Sequence, residues 1–191
     1  MANPPTLDQF YNNLVIFLEE SKSDYVIIGG LAVSVIGEPR MTLDIDLILS
    51  IPENNIQSFL KHIIDKGFGL DMQKELKRIE RTGTFRFTMG FFHADVILAS
   101  STFENSLFKR RKRIKLVDKK AYFPTPEDLI ILKIMVGRDK DMLDAKSIVI
   151  RHKNKLDRKY MEKWTQQISD EAQDMTIWNR LTKLLTDAGT N

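Results

Sequence analysis

The stretch Val26-Ile27-Ile28-Gly29-Gly30, separated by thirteen residues from Asp44-Ile45-Asp46-Leu47, decides how this chain is read. Val26, Ile27 and Ile28 form a short, apolar, β-branched run, the signature of a buried strand. Leu31 to Ile36 can follow as a short helix, which Gly37, Pro39 and Arg40 break. Met41 to Leu49 then reads as a second strand. Side chains alternate across a strand, so Asp44 and Asp46 share one face while Ile45 and Leu47 share the other. Two carboxylates about 7 Å apart along a rigid strand can grip hard cations.

The glycines have a physical reason to stand where they do. A strand that turns directly into a helix needs backbone freedom, and glycine supplies it without a Cβ clash. Amides at the start of that helix, at the positive end of its dipole, favour a bound polyphosphate. Gly-Gly alone is an ordinary turn, and Asp-x-Asp alone is weak; their order and the strand signals around them make the pattern specific. Holding two metal ions calls for a third carboxylate. Asp95 is the candidate, in Phe91-Phe92-His93-Ala94-Asp95-Val96-Ile97-Leu98, because an acidic group among apolar neighbours is costly to bury unless paired or metal-bound. The competing reading is an edge-strand charge facing water. His93 can share the face of Asp95, though a packed or solvated histidine is the favoured reading.

Other chemistries find little support. The chain has no cysteine, and His62, His93 and His152 lack zinc spacing. No Ser-His-Asp constellation and no GxxxxGK[ST] loop is present. Hydrophobic content of 42% with 29% charged residues fits a soluble globular enzyme, and 191 residues suffice for a real core. The first residues, Met-Ala-Asn-Pro-Pro-Thr-Leu-Asp, show no signal peptide, and no apolar run is long enough for a membrane span; a cytoplasmic protein is expected. Charge is uneven: residues 1–100 hold 9 Lys+Arg against 13 Asp+Glu, residues 101–191 hold 20 against 13. The densest basic run is Lys109-Arg110-Arg111-Lys112-Arg113, with Lys115, Lys119 and Lys120 beyond it. It suits a phosphate backbone, or simply a solvated helix end and strand face.

Periodicity predicts helices over Leu7–Ser21, Pro52–Lys66 and Thr102–Lys109, and a hairpin from Ile114–Val117 with Ala121–Phe123. Residues 67–100 are expected to hold two or three strands, of which Phe85–Met89 and Phe92–Leu98 are clearest. From Pro126 onward the pattern is helical: Pro126–Gly137, Lys140–Arg151, Arg158–Ser169 and Thr176–Ala188. Strands first and helices last predict an α+β core backed by a helical C-terminal part. Lys133 can snorkel from its helix, and Arg138 to Asp141 can be a charged helix junction.

The run Ile28-Gly29-Gly30, then Asp44-Ile45-Asp46-Leu47, then Ala94-Asp95-Val96 resembles the signature of the polymerase-β-like nucleotidyltransferase superfamily. Gly37-Glu38-Pro39-Arg40-Met41-Thr42-Leu43-Asp44 looks like the approach to the aspartates in the bacterial AbiEii-type (abortive-infection toxin) branch. Thr125 to Lys133, with Arg138 to Asp141 and Asp144, is similar to that branch's downstream helices. The resemblance covers roughly residues 25 to 150. It implies a nucleotidyltransferase-like mixed sheet flanked by helices, with residues 1–123 as catalytic core and 124–191 as a helical region completing the nucleotide site. Asp44, Asp46 and Asp95 would bind magnesium, with manganese as the alternative ion, and Asp95 would help activate the attacking hydroxyl. Gly29 and Gly30 would cradle the phosphates, by backbone alone where many relatives carry Ser at the position of Gly30. Arg40 and Thr42 would lie near the triphosphate, Lys133 would reach the same charge, and Asp144 would organise the helix pair or the site. The implied reaction moves NMP from an NTP to a hydroxyl acceptor, a tRNA or protein being favoured over an aminoglycoside-type small molecule. A toxin-like role with an antitoxin partner follows from the branch, and the alternative from another class is a non-catalytic nucleotide- or RNA-binding module.

Overall fold

The computed structural model describes residues 4–188. The extreme ends of the chain, over which the N-terminal reading and the C-terminal region boundary extend, lie outside the described residues. Helix α1 (Leu7–Glu20) starts at Thr6, whose side chain accepts from the Gln9 amide while Gln9 bonds back to the Thr6 amide. Strand β1 (Asp24–Ile28) runs straight into helix α2 (Gly29–Ile36), and strand β2 (Asp44–Ser50) follows. Helices α3 (Ile56–Asp65) and α4 (Met72–Thr82) lead to strands β3 (Thr84–Met89) and β4 (Phe92–Leu98). Helix α5 (Thr102–Arg110) precedes the hairpin of β5 (Lys112–Leu116) and β6 (Lys119–Phe123). Helices α6 (Pro126–Val136), α7 (Asp139–His152), α8 (Arg158–Ala172) and α9 (Thr176–Asp187) complete the chain.

The four-stranded sheet has the order β1-β2-β4-β3. β2 is antiparallel to β1 and parallel to β4, and β3 is antiparallel to β4, so the expected mixed sheet flanked by helices is present. Period-two alternation splits its chemistry. Ile45, Leu47, Phe85, Phe87, Ala94 and Val96 are all buried. Their face meets α1 and α3 through Phe17, which lies edge-on to Phe59 and Phe87 at 5.2 and 6.3 Å between ring centroids. The opposite face carries Asp44, Asp46, Asp95 and Arg86.

Two elements depart from the sequence reading. Residues 67–100 hold a helix, α4, besides their strands. Asp71 caps it by accepting from the Lys74 amide, and Gly83 closes it in the left-handed region at φ 65°. Its apolar stripe is only Met72, Leu76 and Ile79, thin enough to be hidden by the charged residues between. The second strand starts at Asp44 and not at Met41: Met41 and Leu43 are exposed, and Thr42 Oγ1 donates to the Asp44 carbonyl, 3.1 Å away. Smaller shifts reflect frayed ends; α2 begins at Gly29, two residues before the expected Leu31.

The described residues group into two compact units. One contains those up to Leu31 and Met41–Phe123; the other contains Ala32–Arg40 and those from Pro124 onward. The short segment belongs to the second unit because it is tied to α7. A Cβ on Gly37 would meet Ser147 Oγ at 2.7 Å, Arg151 donates to the Gly37 carbonyl, and His152 Nε2 lies 2.8 Å from the Ile36 carbonyl. Among the described residues no helix is long and apolar enough to cross a membrane.

Candidate functional site

The glycine turn and the first aspartates meet in the first unit. Ile28, the last residue of β1, is the register partner of Asp46 on β2. The chain then turns without a linker, and Gly29 takes φ 63°. A Cβ built on Gly29 would fall 1.8 Å from Asp46 Oδ2, so only glycine lets the carboxylate and this backbone approach so closely. The negative charge of Asp46 thus sits at the amide-rich start of α2, where the helix dipole favours it.

Asp46 is also the register partner of Asp95 on the parallel neighbour β4, and Asp44 is the partner of His93. Partners across a ladder point to the same face, so the three aspartates predicted from sequence share one face of two adjacent strands. Their side chains have different partners. His93 Nε2 lies 2.7 Å from Asp44 Oδ1. Arg86, opposite Asp95 on β3, donates through Nε and Nη2 to both Asp95 oxygens at 2.7 Å each. That hydrogen bond, with the charges of Asp95, Asp44 and Glu75, raises the guanidinium pKa above the ordinary arginine value against the opposing effect of burial. Glu75, buried on α4, accepts from the Arg86 amide at 2.8 Å and lies 3.8 Å from Arg78. Sequence reasoning missed Arg86 and Glu75. The signal for Arg86 was its place between Phe85 and Phe87, which forces it onto the polar face; Glu75 lay in the unrecognised helix.

Among the described residues no group of three or more acidic or histidine side chains is arranged to hold a metal ion. The donor chemistry still suits magnesium. Asp44 and Asp46 offer only oxygens from a rigid strand, the Asp44 side chain is 43% exposed, and magnesium usually takes one or two carboxylates plus substrate phosphates.

Arg40, Lys133 and Asp144 come together in the second unit. Arg40 donates through Nε and Nη2 to the two Asp144 oxygens at 3.1 Å each. Lys133 Nζ donates to Asp144 Oδ2 at 2.7 Å and to Asp141 Oδ1 at 3.1 Å, and Arg138 Nε bonds Asp141 Oδ2 at 2.7 Å. Asp141, Asp144 and Lys133 are buried. Burial pushes the Asp141 carboxyl up, but the hydrogen bonds from Arg138 and Lys133 outweigh it and hold the group below its ordinary 3.8. A carboxylate whose folded pKa is depressed stabilises the fold above its unfolded value, and that contribution is lost as pH falls through the folded value. Thr42 belongs to the first unit, where its hydroxyl donates to the Asp44 carbonyl.

Two substitutions test these placements. Gly29→Ala forces a left-handed backbone on a residue with a Cβ and displaces Asp46; we expect a loss of at least about 1 kcal/mol in chemical denaturation, and an unchanged midpoint would contradict the close approach. Lys133→Met strips a buried ammonium from two carboxylates. Because Arg40 and Arg138 remain, the expected cost is about 3 kcal/mol, the lower end for breaking a buried pair. A change within about 0.5 kcal/mol in urea titrations would mean that Lys133 behaves as a surface residue.

The same fold occurs in solved structures. An antigenic nucleotidyltransferase-like protein from Paracoccidioides brasiliensis aligns with TM-score 0.59 and 17% identity over 95% of this chain and 88% of that one. ANT(2'')-Ia in complex with adenylyl-2''-tobramycin aligns with TM-score 0.53 and 12% identity over 77% and 90%. The lincomycin-bound lincosamide antibiotic adenylyltransferase LnuA aligns with TM-score 0.52 and 15% identity over 77% and 98%. A comparison with curated proteins finds no match. Residues 6–188 match the model of the family described as "Nucleotidyltransferase of unknown function (DUF6036)", and the chain belongs to that family.

Proposed function

We propose that this protein is a magnesium-dependent nucleotidyltransferase that moves NMP from an NTP to a hydroxyl acceptor. The observation that carries the reading is the seating of Asp46 against the Gly29 turn, with Asp44 on its own face and Asp95 in register on the next strand. The acceptor oxygen attacks the α-phosphorus, forming a new P–O bond. The bond from that phosphorus to the bridging oxygen breaks, and pyrophosphate leaves with the electron pair. Catalysis of such a displacement is mostly positioning and charge neutralisation.

The candidate site residues of the first unit divide the work. Gly29 and Gly30 bring backbone to the phosphates without a side chain in the way. Magnesium, or manganese in its place, would be held by Asp44 and Asp46 and would supply Lewis acidity to the phosphoryl oxygens. Asp95 completes the carboxylate set beside Asp46 and accepts the proton of the hydroxyl. Arg86 fixes its orientation and occupies one acceptor position on each oxygen, leaving a second on each. His93 orients Asp44 through Nε2. A tRNA or protein acceptor, and a toxin-like role checked by an antitoxin partner, extend the reading through the AbiEii-type resemblance.

One observation favours a second reading, a non-catalytic nucleotide-binding module: the bidentate capture of Asp95 by Arg86. Incubating the protein with each labelled NTP, Mg²⁺, an RNA pool and a protein extract separates the two. Transfer of label that falls at least about 100-fold in Asp46→Ala, in line with the loss of a group stabilising developing charge, supports the enzyme. Nucleotide binding with no transfer to any acceptor supports the module.

A further inference from the structure

Resting on the transfer reading above, we propose that the β5–β6 hairpin docks the acceptor, and that the acceptor is an RNA strand held by its phosphate backbone. In this hairpin Lys115 and Lys120 are direct cross-strand partners and both are exposed. Like charges placed opposite each other on a ladder weaken it, so the pair is a cost to the fold. Neither lysine forms an ion pair with a described residue, although the same chain does pair the neighbouring arginines: Arg111 with Asp24 at 2.6 Å and Arg113 with Glu19 at 2.8 Å. Lys109 and Lys112 are exposed as well. Lys109 at the end of α5 and Lys112, Lys115 and Lys120 on the ribbon thus put exposed positive charge close together in the chain.

The aromatic content of the ribbon says which part of a nucleic acid it meets. Tyr122 has the Arg111 guanidinium 4.3 Å and the Arg113 guanidinium 5.3 Å from its ring centroid, and lies edge-on to Tyr25 at 5.4 Å. Its ring is engaged by protein, so base stacking is not the mode of capture. Arg113 and Lys115 alternate on β5, roughly 7 Å apart, with Lys120 opposite Lys115, so three exposed cations share one face of the ribbon, which suits phosphates and reads no sequence. A lipid surface is less well matched, because Val117 at the tip is the one exposed large apolar side chain of the described hairpin. The hairpin is anchored to the unit that carries the aspartates: the Tyr11 hydroxyl of α1 donates to the Lys119 carbonyl at 3.4 Å, and Tyr122 of β6 packs on Tyr25 of β1.

Lys115→Glu tests this, because the new carboxylate faces Lys120 and cancels it. Fluorescence anisotropy with a labelled, mixed-sequence ribo-oligonucleotide of about 20 nucleotides is followed between about 50 and 200 mM salt. Removing two phosphate-neutralising charges should flatten the slope of log K against log[salt] by about 1.4 and weaken binding by about tenfold or more. The variant should melt higher than the parent, since a like-charge pair becomes an ion pair, and Mg²⁺-dependent NTP binding should be unchanged. Asp46→Ala should bind the oligonucleotide as the parent does. An unchanged affinity and salt slope in Lys115→Glu, or parent protein that ignores the oligonucleotide while binding phosphatidylserine vesicles, overturns the inference. Transfer of label to protein with no RNA binding would overturn the docking role and leave the transfer reading standing; RNA binding without any transfer would do the reverse.

Discussion

The parallel pairing of β2 with β4 holds the whole arrangement, because it sets Asp46 opposite Asp95 and Ile45 opposite Ala94. In a strand the two faces alternate residue by residue, so a slip of one position would carry the aspartates into the aromatic core and turn Leu47 outward. The apolar half of the sheet prevents that slip. Ile45, Leu47, Ala94 and Val96 are buried, with Phe85 and Phe87 beside them on β3. Burial of such side chains is worth roughly 1.5–3 kcal/mol each for the larger ones, far more than any single ion pair on the opposite face. The hydrophobic layer thus specifies where the charges stand.

The two units handle acidic groups in opposite ways. In the second unit Asp141 and Asp144 are buried and share three cations, Arg40, Lys133 and Arg138, within hydrogen-bonding distance. Such a cluster stabilises because every member is satisfied, and it fails sharply when one is removed. In the first unit the Asp44 side chain is 43% exposed and the Asp95 side chain 23%, each with a partner that leaves further acceptor positions on its oxygens. A half-exposed carboxylate can change partners without the full cost of desolvation. The contrast is between carboxylates already neutralised by buried or bidentate cations, such as Asp144 with Arg40 and Lys133, and carboxylates that remain partly open to solvent.

Much of this was legible in the residues. Val26 to Gly30 announced a strand ending in a tight turn, and the alternation of Asp44-Ile45-Asp46-Leu47 announced which side chains share a face. The third aspartate was traceable because one charge in an apolar strand demands a partner. What it pairs with was not, since Arg86 and Asp95 meet only through the antiparallel register of β3 and β4, a long-range fact. Helix α4 escaped because its stripe of Met72, Leu76 and Ile79 is narrow and its many charges mask the period; its best markers were Asp71 and Gly83 at the two ends. The grouping of Ala32–Arg40 with the C-terminal helices also depends on contacts, from Gly37 and Ile36 to α7, that no local pattern encodes.

The central claim is that Asp44 and Asp46 form an ion-binding pair beside the glycine turn. The most direct measurement is electron paramagnetic resonance of Mn²⁺ titrated into the protein with a non-hydrolysable NTP analogue, for the parent and for Asp44→Asn with Asp46→Asn together. The account predicts that free Mn²⁺ signal is lost on binding to the parent in the presence of nucleotide and persists, beyond what the nucleotide alone captures, in the double variant. Equal binding by both proteins would contradict it.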